Sequence, residues 1–192
     1  MQKATNEASH PYRILMATAL TTFAAIHTER FIMTLQAGDA IPELNLTVVD
    51  EAGPKPASSK DFFAGKTVVL FAVPGAFTPT CSARHLPGFK DHAADFKAKG
   101  VDVVACTSVN DYFVMKAWAK DQGIADEVVM LADGNGEFAQ AMGLTLDASG
   151  FGMGPRSQRY AAVIRDGKLD KLFVEAGGEF KVSSAEYVLE NL

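Results

Sequence analysis

Cys81 closes the octapeptide Pro74-Gly75-Ala76-Phe77-Thr78-Pro79-Thr80-Cys81, which follows directly on the apolar run Thr67 to Val73. The run reads as a buried strand, the octapeptide as a tight loop, and the loop opens a helix. Thr78 suits an N-cap and Pro79 the first helical position, where a missing N–H costs nothing. Cys81 then falls in the first helical turn, beside N–H groups without intrahelical partners and at the positive end of the helix dipole. Such a site favours the sulfur as an anion, so this cysteine reads as a nucleophile. The alternative, a small buried hydrophobe, has no use for a Gly-containing approach, a threonine cap and a proline that sets the turn. A thiol–disulfide exchanger would carry a second cysteine at position 78. Here that position is a hydroxyl, so no local disulfide can form.

Attack by such a sulfur is a displacement in which negative charge moves from sulfur to a leaving atom. Donors aimed at both atoms lower the barrier. The Thr78 hydroxyl and the backbone N–H groups of Thr80 and Cys81 are the local candidates. Pro79 shields the sulfur from bulk water, and Pro74 shapes the loop, so Pro74, Pro79 and Thr80 are the expected lining of the substrate approach. His85 lies four residues after Cys81 and can share its helical face. That spacing permits a second class of enzyme, a Cys–His hydrolase with His85 as base. Replacing His85 by alanine would destroy a hydrolase and leave largely working an enzyme whose sulfur needs no base.

Around this segment the chain alternates strand and helix signals. Leu44 to Val49 is expected as a short edge strand, ended by a turn-rich stretch from Asp50 to Lys60. Thr67 to Val73 has the unbroken apolar character of a central strand covered on both faces. The helix begun at Thr78 is interrupted near Pro87, resumes with Phe89, Ala93 and Phe96, and stops at Gly100. Val101 to Thr107 is the next strand. Asn110 or Asp111 then caps a helix expected to bury Val114, Ala117 and Trp118, with Gly123 at its end. Val128 to Leu131 is a strand and Glu137 to Met142 a short helix. Ala161 to Arg165, Asp166-Gly167 and Leu169 to Val174 form a hairpin on a favoured turn. Ser183-x-x-Glu186 reads as a capping box for the last helix. This order predicts an α/β fold, a mixed sheet with helices on both faces.

With 192 residues, 48% hydrophobic and 21% charged, the chain has enough apolar material for one well-buried domain. Its net charge of −5 and pI near 5.3 give no basic footprint for nucleic acid. Two cysteines rule out a disulfide scaffold and favour a reducing, cytoplasmic compartment. Residues 1–32 do not match the rest. Ile14 to Ile26 is too short to span a membrane, and Lys3 and Arg13 before it resemble a targeting segment only faintly. They are read as an extension, with organelle targeting as the alternative, and residues 33–192 as the catalytic domain. The glycines of Gly150-Phe151-Gly152-Met153-Gly154 neither follow a clear strand nor open a helix, so they make no nucleotide cradle. They are read as a loop beside the reactive segment. The four histidines and two cysteines lack ligand spacing, so no metal, haem or flavin is expected.

The string PGAFTPTCSARHLPGF, from Pro74 to Phe89, resembles the active-site segment of the type II peroxiredoxins, the peroxiredoxin 5 family. So do VVACTSVNDYFVMKAW from Val103, LADGNGEFAQAMG from Leu131 and GPRSQRYA from Gly154, and the resemblance covers nearly all of Met33 to Leu192. It implies a thioredoxin-like fold and a peroxidase that reduces hydrogen peroxide and alkyl hydroperoxides through a sulfenic acid on Cys81. It also implies Arg159 as the fixed positive charge beside the sulfur, Arg156 having a weaker claim. The loop near Cys81 and the segment around Phe113 meet a second subunit in that family, which implies a homodimer. Some relatives resolve the sulfenic acid with a cysteine near the C-terminus, but Phe180-Lys181-Val182-Ser183-Ser184 contains none. Cys106 is the other sulfur and reads as a buried strand residue. A one-cysteine cycle with glutathione and glutaredoxin is therefore expected, a thioredoxin-linked cycle through Cys106 being the alternative. A non-enzymatic thioredoxin-like binding module would leave Thr78 and Arg159 without purpose.

Overall fold

The computed structural model describes residues 33–192; the expectations for residues 1–32 lie outside them. Its seven-stranded sheet is built from β1 (Asn45–Asp50), β2 (Gly53–Ser58), β3 (Thr67–Ala72), β4 (Val103–Ser108), β5 (Val129–Ala132), β8 (Tyr160–Arg165) and β9 (Lys168–Val174). The order is β2-β1-β5-β4-β3-β8-β9. Only the β3–β4 and β4–β5 pairs are parallel, so the sheet is mixed. A small ribbon pairs β6 (Thr145–Asp147) with β7 (Pro155–Ser157), and the Gly150–Gly154 glycines lie in the loop between them.

Central β3 is buried on both faces because every second side chain serves a different core. Val69 and Phe71 join Phe89 and Phe96, from α2 (Leu86–Asp91) and α3 (Ala93–Ala98), with Trp118 from α4 (Tyr112–Asp121) and Val188 from α6 (Ala185–Glu190). Val68 and Leu70 face Phe63 from α1 (Ser59–Phe63) and Phe138 from α5 (Glu137–Ala141). Helices thus cover both faces, the thioredoxin-like arrangement expected. The Asp166-Gly167 turn has φ of 48° and 73°, the doubly positive pair that matches the twist of β8 and β9.

Four local expectations are corrected. The stretch after Asp50 is not only turn: Gly53–Ser58 forms β2, and β1 lies inside the sheet between β2 and β5. Pro54 and Pro56 are tolerated because β2 is the edge. In α4 the buried residues are Tyr112, Met115 and Trp118, while Val114 is half-buried and Ala117 exposed, because the stripe starts at Tyr112, directly after the Asp111 cap. The cap of α6 is Ser184, which accepts from the Tyr187 amide; Ser183 is buried and employed elsewhere. Finally, the break before Pro87 is a π-helical turn, Cys81–His85, leading into α2. A turn with i→i+5 bonds absorbs the amide that proline lacks.

Candidate active site

β3 delivers the chain at Ala72, and the loop from Val73 to Thr78 reverses it onto the helix that begins at Pro79. The loop is tied down from outside. The Asn110 side-chain oxygen accepts from the Ala76 amide at 2.9 Å and from the Ser108 hydroxyl at 2.8 Å. Arg156 donates to the carbonyls of Met153 and Val109 at 3.0 and 2.9 Å, a bracing role for the lesser of the two arginines. A Cβ at Gly75 would come within 3.2 Å of the Thr78 methyl, so glycine there lets the loop fold against its own threonine. Phe77 takes a φ of 60°, a left-handed conformation that costs a non-glycine residue about 1–3 kcal/mol.

Thr78 stands at the N-cap position, but its hydroxyl has another task. Its Oγ1 lies 2.8 Å from the Gly75 carbonyl oxygen and 2.8 Å from Cys81 Sγ. One hydroxyl proton can serve one of these at a time. With a thiolate it donates to sulfur, and with a thiol it donates to Gly75 while Oγ1 accepts from S–H. The expected amide cap is thus replaced by a contact with the sulfur itself. Cys81 is fully buried, and Ser82 beside it accepts from the Trp118 indole N–H at 2.9 Å, which fastens the π turn to α4.

Arg159, immediately before β8, donates from one Nη to Cys81 Sγ at 3.4 Å and from the other to His85 Nδ1 at 3.0 Å. His85 Nε2 donates in turn to the Ser183 carbonyl at 3.0 Å. Both ring nitrogens are therefore engaged, and neither is left to act as a base for Cys81. The hydrolase reading loses its base. His85 is instead what holds the arginine, a role its spacing from Cys81 did not reveal because the partners come from the other end of the chain. Of the other expected residues, Pro79 is exposed and Pro74 and Thr80 half-buried around the sulfur's loop. Cys106 lies on β4, fully buried and paired in register with Phe71.

The rings of Phe71, Phe89 and Phe180 enclose His85 at centroid distances of 4.9, 5.6 and 5.0 Å. Burial first, and the Arg159 charge second, lower its pKa from 6.5 to about 3, against a smaller opposing effect of the Ser183 hydrogen bond. The folded value lies below the unfolded one, so between pH 6.5 and about 3 the unfolded chain binds the extra proton. The stability contributed by the neutral ring is complete above that window and is lost as pH falls through it, with a limiting slope of about 1.4 kcal/mol per pH unit. His85→Gln, which keeps a donor and an acceptor but cannot ionise, is expected to flatten this part of the curve. Urea midpoints measured from pH 7 to 4 decide it; equal slopes for parent and variant would refute the assignment.

Comparison with known proteins places the chain among relatives of one kind. The Redoxin family model matches residues 36–189. Peroxiredoxin-2E, chloroplastic, from Arabidopsis thaliana is 44% identical over 194 residues, covering 99% of this chain and 78% of the relative. Peroxiredoxin-2B from the same plant is 47% identical over 159 residues, 82% of this chain and 98% of its own. Reduced Prx3 from Vibrio vulnificus, solved in complex with hydrogen peroxide, superposes with a TM-score of 0.79 at 50% identity, covering 82% of this chain and 99% of that one.

Proposed function

The chain belongs to the Redoxin family and is a peroxiredoxin, a thiol peroxidase, and from that premise we propose that Cys81 is its peroxidatic nucleophile, served by Thr78 and Arg159. The observation that carries this is the convergence of Thr78 Oγ1 and an Arg159 Nη on one buried sulfur, at 2.8 and 3.4 Å. The thiolate attacks the hydroxyl oxygen of the hydroperoxide. An S–O bond forms, the O–O bond breaks, and the departing alkoxide or hydroxide takes a proton to leave as alcohol or water. Thr78 and Arg159 stabilise charge as it passes from sulfur to the leaving oxygen. Pro74, Pro79 and Thr80 line the approach. Cys81 is left as a sulfenic acid.

The cycle is completed by an external thiol. Glutathione condenses with the sulfenic acid to a mixed disulfide and water, and glutaredoxin or a second glutathione then releases Cys81. What supports one cysteine over two is the setting of Cys106. It is wholly buried within the sheet, and burial, with Cys81 adding to it, pushes its thiol well above the ordinary value. A thiol kept protonated is a poor attacking group. Mass spectrometry after one equivalent of peroxide, with and without glutathione, is expected to find Cys81 as sulfenic acid or glutathione adduct. A Cys81–Cys106 disulfide as main product, lost with turnover in Cys106→Ser, would replace this cycle with a two-cysteine one and leave the peroxidase intact.

Phe77 and Phe113, 51% and 77% exposed, flank the Asn110 tie and fit a homodimer contact beside the active site; sedimentation velocity on Phe113→Arg, expected to be monomeric, tests it. Residues 1–32 are an extension to a catalytic domain of residues 33–192. Peroxiredoxin-2E, whose match covers 99% of this chain, is named chloroplastic, which favours organelle targeting over the cytoplasmic location expected from cysteine content. The mass of the mature chain from its native cells tests that, a retained extension counting against it.

A further inference from the structure

Glu175 follows β9 directly, and its backbone N–H donates to the Arg159 carbonyl at 3.0 Å, so the two residues face each other across the last strand pair. Its carboxylate has a separate role. One oxygen, Oε1, accepts from the Lys181 amide at 2.6 Å, the Ser183 amide at 2.8 Å and the Ser183 hydroxyl at 2.8 Å. Three donors on a single anionic oxygen draw residues 175–183 into a closed loop, and bonds of this charge-assisted kind are the stronger ones. The loop meets the active site twice. The buried Ser183 presents its carbonyl to His85 Nε2 at 3.0 Å, and Phe180 lies over Arg84 and Arg159, with centroid distances to the guanidinium carbons of 4.7 and 5.8 Å.

We propose that Glu175 is a positioning residue for the peroxidase reaction, acting on Cys81 through the Ser183 carbonyl, His85 and Arg159. The inference rests on the reading of Arg159 given above. Arg159 is a long, rotatable cation, and it serves the sulfur only while its planar fork is held in one orientation. His85 supplies that hold because Nδ1 is an acceptor. It is an acceptor because the proton of the neutral ring sits on Nε2, and the proton sits there because the Ser183 carbonyl accepts the Nε2–H hydrogen bond. If the loop lets that carbonyl go, the other tautomer becomes available, and its Nδ1–H would oppose an arginine N–H donor against donor. Releasing the clamp therefore turns the contact that aims Arg159 from attractive to repulsive. Neither Glu175, Ser183 nor His85 needs to touch peroxide.

The test is a double-mutant cycle on the full chain, reading the second-order rate constant for hydrogen peroxide by stopped flow. Glu175→Ala is expected to lower it about 10-fold. Glu175→Gln, whose amide oxygen can accept from the same donors without the charge, is expected to recover part of the rate. In an Arg159→Ala background, Glu175→Ala should change little, since the residue through which it acts is gone. An unchanged rate in Glu175→Ala, no rescue by glutamine, or the same fold-loss in both backgrounds would overturn the proposal while leaving Arg159 in place. Parent-level activity of Arg159→Ala alone would instead remove the reading on which the proposal stands. Should Glu175→Ala fold poorly, Glu175→Asp takes its place, its carboxylate one methylene too short to gather all three donors, with the same expectations.

Discussion

Replacing Cys81 by serine is expected to abolish hydroperoxide consumption while leaving the fold in place. The side chain is fully buried and its volume hardly changes, so the π turn and its tie to Trp118 should survive. The chemistry should not survive. An alcohol supplies almost no anion at neutral pH, and oxygen is a weaker nucleophile toward peroxide oxygen than sulfur. Removal of a covalent nucleophile is among the largest effects available to a single substitution, on the order of 10⁶-fold where the nucleophile works as part of a unit. The measurement is peroxide loss with glutathione and glutaredoxin present, alongside far-ultraviolet circular dichroism as a check on folding. A folded Cys81→Ser protein that still turns over peroxide would assign the reaction to some other group.

Arg159→Lys is expected to cost the next largest amount. Lysine keeps the charge but cannot reach Cys81 Sγ and His85 Nδ1 at once, as the guanidinium does at 3.4 and 3.0 Å. Losing one preorganised donor to a transition state typically costs about 2.7–4 kcal/mol, or ~100- to 1,000-fold in rate. The loss should fall on the step in which peroxide oxidises Cys81, followed in a single turnover without reductant. Reduction of the preformed glutathione adduct should be much less affected, because no O–O bond breaks there. A parent-like oxidation rate for Arg159→Lys would show that a point charge suffices and that the fork has no special part. The same variant also frees His85 Nδ1, so its effect includes loss of the buried contact as well as of the donor.

The structure alters what should follow from changing His85. Spacing alone made it a possible base for Cys81 or a bystander. In the fold it is neither: it accepts from Arg159 on one nitrogen and donates a hydrogen bond to the Ser183 carbonyl from the other. Removing it should therefore weaken a peroxidase as well. Sequence separation explains why no local pattern showed this, since His85 meets a residue 74 positions away on one side and another 98 positions away on the other.

Much of the fold was legible because its signals are local. A short unbroken apolar run rich in β-branched residues and followed by Pro-Gly fits a strand covered twice, and β3 is that strand. Asp166-Gly167 tolerates the positive φ values that a two-residue hairpin turn demands, and the hairpin forms there. Signals failed where a residue had two possible employers. Ser183 and Ser184 could each cap α6 by propensity. The choice fell to Ser184 because Ser183 is taken by Glu175, a preference that no window around residue 183 contains. Prolines 54 and 56 speak against a strand until an edge position frees them of ladder duty.

By itself the sequence determined the reactive segment: a strand, a glycine-bearing loop, a proline-started helix and a cysteine in its first turn. Backbone preferences and hydrophobic run length act over a few residues, so these survive in any correct fold of this chain. The tertiary structure decided the electrostatic surroundings of that cysteine. It brought Arg159 to the sulfur from the residue that leads into β8, the strand beside β3, set His85 behind the arginine, and closed a C-terminal loop on Glu175 to hold the histidine's proton in place. Those groups meet only when β8 and β9 pair and the chain returns over the sheet. Hydrogen bonds work within about 3.5 Å whatever the separation along the chain, so their partners are chosen by packing and not by spacing.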